Sequence, residues 1–301
     1  FNLLQAIGDG EAPVGEDVPA TEKEAYQKRK LLQEADIDPQ GKGVVYYNLM
    51  ASDKERALMD SLNEGGADMG EAARVLMEIK DAGALEAGKS EAKKKAIAES
   101  SLSEEEKDAI FRYVLPDESK GAGYSESLAG AGLDKGSAAA VANALNALTP
   151  EEGKKTVSDA QKWRAVVDTA KGAEDQKNAL LTVMSDSARA RYEIGDRYGI
   201  QPEAWVQVKE ALPQFDGNKN GSYSGGEIET AIDALAGDGR MLAPWDKEPL
   251  RLSREEKAVL WQLFTGSTSG SGNPYSTRVG RKVAEELEKV REEAKKKEEE
   301  E

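Results

Sequence analysis

Residues 216–227 read Asp216-Gly217-Asn218-Lys219-Asn220-Gly221-Ser222-Tyr223-Ser224-Gly225-Gly226-Glu227. The stretch is polar and glycine-rich, so it continues neither a helix nor a strand. Upstream, Trp205, Val208, Leu212 and Phe215 fall on one face at helical spacing. Downstream, Ile228, Ile232 and Leu235 do the same. The reading is a helix, a tight polar loop and a second helix. The helical period extends outward from there. Ala72, Val75, Leu76 and Ile79 share a face, as do Val279, Val283, Leu287 and Val290. Ser52 with Glu55, Ser103 with Glu106 and Ser253 with Glu256 have the spacing of a capping box. The expected fold is all-α, with roughly twelve helices and no sheet beyond a short bridge at the loop. Residues 1–24 are expected to form an extended arm, and 266–272 a flexible Gly/Ser loop. The charged tail, 291–301, is expected to fray.

The twelve residues resemble the calcium-binding loop of the EF-hand family, and with their flanks the likeness covers residues 204–236. The family takes oxygen ligands at loop positions 1, 3, 5, 7, 9 and 12 and glycine at position 6. The resemblance implies a Ca2+ ion held by the side chains of Asp216, Asn218 and Asn220 and by the carbonyl of Ser222. Ser224 would act through a water, and Glu227 through both carboxylate oxygens. Gly221 stands where the chain must turn sharply. Two departures from the pattern bear on affinity. Pro213 sits in the last turn of the entering helix, and only Asp216 and Glu227 bring negative charge, against the positive charge of Lys219. Few carboxylates mean weak binding, with an expected Kd of about 10⁻⁵ to 10⁻³ M. Residues 117–125 begin on Asp and end on Tyr-Ser, but Leu128 takes the twelfth position and cannot be a ligand.

Composition narrows the rest. Cys and His are absent, which excludes disulfides, thiolate nucleophiles, Cys/His zinc sites and histidine general bases within the chain. A formal charge of −16 repels nucleic-acid phosphates, so nucleic acid is not an expected partner. No apolar run is long enough to span a bilayer. The start at Phe1, without Met, fits a piece of a longer product.

The two halves share anchors in the same order. Leu102-Ser103-Glu104-Glu105-Glu106-Lys107 answers Leu252-Ser253-Arg254-Glu255-Glu256-Lys257, and Tyr124-Ser125 answers Tyr275-Ser276. Upstream, Leu49-Met50-Ala51-Ser52 with Arg56 answers Val183-Met184-Ser185-Asp186 with Arg189. The expectation is an internal duplication, with one helical unit over 25–150 and a second over 151–290 that holds the loop.

The order of Leu212-Pro213-Gln214-Phe215-Asp216, then Lys257-Ala258-Val259-Leu260-Trp261, then Asn273-Pro274-Tyr275-Ser276 looks like helical regions of large phage- and prophage-encoded proteins. Virion-associated polyvalent proteins are among them. The likeness covers about 160–290 well and 40–150 weakly. It implies a non-enzymatic part of a virion protein, with other virion or assembly components as partners. The expected location is the phage particle, or the bacterial host cytoplasm during assembly. Two alternatives stand beside it. One is a calcium sensor, against which stand a lone loop and few Met residues. The other is a carboxylate-based glycan hydrolase, with Trp163, Trp205, Trp245 and Trp261 lining a groove.

Overall fold

The structure is a computed structural model of the full chain, and it describes residues 23–85, 90–114, 124–151, 154–237 and 249–300. The described residues form fifteen α-helices and no strand, so the all-α class holds. The chain divides into two compact units, the first running to Thr156 and the second starting at Val157.

The first unit contains α1 (Lys23–Glu34), α2 (Pro39–Leu49), α3 (Asp53–Glu64) and α4 (Met69–Leu85). They are followed by α5 (Ser90–Ala98), α6 (Glu104–Val114), α7 (Tyr124–Gly130) and α8 (Lys135–Ala147). Helix α4 is central and packs on α1, α2, α3 and α5. Its one face buries Ala73, Leu76 and Met77 with Leu32, Tyr46 and Met59. The other buries Val75 and Ile79 with Leu62, Ile97, Ile110 and Phe111. Helices α2 and α4 approach closely because glycines meet there. A Cβ on Gly70 would lie 2.4 Å from the Pro39 carbonyl, and one on Gly43 would lie 2.7 Å from the Met69 carbonyl oxygen. A buried polar chain crosses the same unit, in which Glu55 accepts from the Tyr46 hydroxyl at 3.2 Å and from Lys80 at 2.8 Å. Burial and the facing carboxylate push the Tyr46 hydroxyl far above its ordinary range.

The second unit contains α9 (Asp159–Thr169), α10 (Ala173–Val183), α11 (Asp186–Arg197), α12 (Pro202–Phe215) and α13 (Gly225–Leu235). Then come α14 (Arg254–Thr265), a 3₁₀ turn at Gly270–Gly272 and α15 (Thr277–Glu300). Trp205 is its hub, with ring centroids 4.6 Å from Phe264, 5.5 Å from Tyr192 and 6.3 Å from Trp163.

Pairings recur between the units in the same chain order. The first helix packs on the second and fourth, the second on the fourth, and the third on the sixth. The fourth packs on the fifth, and the fifth on the sixth. The turn after the third helix is also the same. Gly66 and Gly199 are left-handed at φ +89° and +83°. In both turns the next amide donates to a carbonyl five residues back, Ala67 to Leu62 and Ile200 to Gly195, each at 3.0 Å. This is the helix ending that glycine permits. In each unit an arginine ties the first helix to the fourth. Arg29 Nε donates to Asp81 at 2.6 Å, and Arg164 Nε donates to Glu210 at 2.9 Å.

Several expectations need correction. The helix count is higher than twelve. Helix α7 was not expected at all. Residues 266–272 are not a free loop, because Gly270 is buried against α15 and a Cβ there would lie 2.2 Å from the Arg281 backbone nitrogen. Helix α15 runs on through the charged tail to Glu300, with residues 291–297 exposed. Most of the expected arm, and residues 117–123 of the second loop candidate, lie outside the described residues.

Candidate functional site

The loop is positioned by two helices with buried inner faces. Helix α12 starts on Pro202 and buries Trp205, Val208 and Leu212. It continues through Pro213 to Phe215, so the proline stays within the helix. Helix α13 starts from Ser224, whose hydroxyl caps the Glu227 amide while Glu227 caps Ser224 in return. It buries Ile228, Ile232 and Leu235.

Between them the chain winds tightly. Lys219 is the only non-glycine with positive φ among the described residues, at +55°, and Gly221 follows at +74°. Three side chains face the loop's own backbone. Asp216 Oδ2 accepts from the Gly221 amide at 2.8 Å, Asn218 Oδ1 from Asn220 at 3.0 Å, and Asn220 Oδ1 from Ser222 at 2.7 Å. Glu227 closes the loop end to end. Its Oε1 accepts from the Gly217 amide at 2.9 Å, and its Oε2 accepts from the Ser224 amide and hydroxyl at 2.8 Å each. The Ser224 amide and hydroxyl, then the Gly217 amide, hold the Glu227 carboxyl below its ordinary value. Tyr223 is half-buried, and burial followed by the Asp216 charge pushes its hydroxyl up.

Asp216 Oδ1 is buried and has no hydrogen-bond partner. A carboxylate oxygen in that state is costly unless a cation or donor satisfies it. Its companions are neutral oxygens and one further carboxylate, a donor set suited to a hard divalent cation. No cluster of three or more His, Cys, Asp or Glu side chains able to hold a metal occurs among the described residues. The loop does not depend on such a cluster, since its remaining donors are amide, hydroxyl and carbonyl oxygens. All six expected ligand residues, Asp216, Asn218, Asn220, Ser222, Ser224 and Glu227, fall within this one turn of chain. Asp216, Asn218 and Asn220 point their oxygens into it. Glu227 instead caps α13 and Gly217, and it would have to exchange those bonds to reach an ion.

The loop is coupled to the rest of its unit by contacts the sequence did not single out. Trp261 Nε1 on α14 donates to the Gly225 carbonyl at 2.9 Å, and a Cβ on Gly225 would lie 2.9 Å from that indole. Asp233 at the far end of α13 accepts from Lys257 at 2.9 Å and from the Tyr275 hydroxyl at 3.1 Å. The sequence pointed to Tyr275 through the paired Tyr-Ser anchor of the two halves and through the Asn273-Pro274-Tyr275-Ser276 stretch. Trp163, Trp205 and Trp261 are buried, so these three rings are core and line no open groove. Trp245 lies outside the described residues.

No protein-family model, curated protein or solved structure matches the chain. Among the described residues, no helix is long and apolar enough to cross a membrane.

Proposed function

We propose that residues 216–227 bind one calcium ion, which clamps α12 and α13 as a fixed joint in a non-enzymatic structural or interaction module. The unpartnered, buried Oδ1 of Asp216 carries this reading. It sits at the first position of a loop whose left-handed Lys219 and Gly221 already direct oxygens inward. Calcium would neutralise Asp216 and Glu227, and Glu227 would trade its bonds to Ser224 and Gly217 for the ion. The buried Trp261 and Lys257 ties favour a stiffening role over a sensor that opens a groove.

We further propose that the two units are copies of one helical unit, the second enlarged by the calcium loop. The recurring helix pairings and the matching glycine turns support this. The sequence likeness to virion-associated phage proteins supports placing the module in a phage particle, among other virion components.

Thermal melts with millimolar calcium test the clamp. The expected result is a rise in Tm with calcium, little rise with magnesium, and none in Asp216→Asn. An unchanged Tm in calcium would reject it. A calcium-dependent rise in binding of a hydrophobic dye would favour the sensor instead.

A further inference from the structure

Away from the loop, a cleft of about 930 Å³ runs between α11 and α15 in the second unit. At one end two guanidiniums meet on a single residue, Gly266, the left-handed glycine that ends α14. Arg191 donates to the Leu263 carbonyl at 3.4 Å, and Arg291 donates to the Gly266 carbonyl at 2.9 Å. A Cβ on Gly266 would lie 3.2 Å from Arg191 Nη2, so the arginine rests directly on the glycine. Neither arginine has an ion-pair partner among the described residues.

The charges do not balance locally. The end of α14 offers about half a negative charge, which answers one guanidinium at most. Burial, and then the neighbouring Arg291, lower the Arg191 pKa. Lys289 and Lys297 line the same cleft. Of its carboxylates, Glu286 is taken by Arg197 and Tyr198, and Asp186 lies 3.6 Å from Arg189. Glu193 and Glu293 also line the cleft and are exposed, as are Arg291, Lys289 and Lys297. Leu287 and Val290 give the cleft an apolar side. Paired guanidiniums offer forked donors that match a tetrahedral oxyanion.

We propose that this cleft binds a phosphomonoester, its phosphate between Arg191 and Arg291 and its organic group against Leu287 and Val290. The proposal is independent of the calcium loop, 216–227.

Titration of the intact chain with inorganic phosphate and with phenyl phosphate, at constant ionic strength against chloride, tests it. The readouts are Tm and ³¹P line broadening. Both phosphates should raise Tm and broaden the ³¹P line, with phenyl phosphate half-saturating at several-fold lower concentration. Arg291→Gln should weaken both by about tenfold, the share of one charge-assisted contact. Arg191→Lys keeps the charge and removes the fork, and should weaken both while leaving the fold intact. Arg278→Gln, outside the cleft, should change nothing. Equal effects of chloride and phosphate, or undiminished phosphate binding in Arg191→Lys, would overturn the proposal. Equal affinity for the two phosphates would overturn the assignment of the apolar side.

Discussion

The two oxygens of Asp216 have different fates. Oδ2 accepts from Gly221, while Oδ1 is buried with no partner. Removing that charge should relieve the chain without calcium and cripple it with calcium. Asp216→Asn is therefore expected to keep or slightly raise Tm in chelator and to lose the calcium response. Gly221 tests the turn itself. A Cβ there meets nothing within 4 Å, so the cost of Gly221→Ala is the left-handed backbone alone. That cost is about 1 kcal/mol, readable by urea unfolding. A contrasting residue lies in the first unit. Glu71 accepts from Arg74 at 2.7 Å and from the Ser101 amide at 2.8 Å. The Arg74 bond, with help from Ser101, lowers its pKa to about 2 against burial. Its folded pKa lies below its ordinary value of 4.5, so its contribution is present above that value and is lost as pH falls toward 2. Glu71→Gln should cost about 1 kcal/mol at neutral pH and converge with the wild type in acid melts.

Helices were legible in the sequence wherever their caps and stripes were both local. Ser52, Ser103 and Ser253 each form the reciprocal bond with a glutamate three residues on, as their spacing implied. The candidate loop was legible for the same reason, since all its donors lie in twelve consecutive residues. What stayed hidden depends on partners distant in the chain. Gly270 reads as flexible linker, yet it is buried because α15 comes within a Cβ's reach of it. The Trp261 bond to Gly225 joins residues thirty-six apart. Gly43 and Gly70 carry no sequence signal for the helix crossing they allow. That crossing yields the sharpest element-scale expectation. A Cβ on Gly70 would strike the Pro39 backbone at 2.4 Å, and backbone cannot swing aside. Gly70→Ala should cost about 2–3 kcal/mol, more than Gly221→Ala. A smaller loss in urea unfolding would mean that α2 and α4 are more loosely packed. Trp261→Phe removes one hydrogen bond, should cost about 1 kcal/mol, and should reduce the calcium-induced gain in Tm.

At the scale of the molecule, two units repeat one order of helix pairings, and among the described residues only the second carries such a loop. The proposed duplication rests in the sequence on ordered anchors such as Leu102–Lys107 and Leu252–Lys257. The shared glycine turns at Gly66 and Gly199 lay outside those anchors and emerged from the backbone angles. If calcium acts as a clamp, its effect should stay within the second unit. Hydrogen exchange on the intact chain should show calcium protecting α12, α13 and the Trp261 segment of α14, with α1–α8 unchanged. Equal protection in both units would argue against a local joint.

The most direct measurement is calorimetric titration of calcium into the intact chain beside Glu227→Gln. One ion should bind per chain with a Kd of about 10⁻⁵ to 10⁻³ M, and the variant should give no binding heat. Absence of heat in the unaltered protein at millimolar calcium, or binding that survives in Glu227→Gln, would contradict a calcium-clamped joint at residues 216–227.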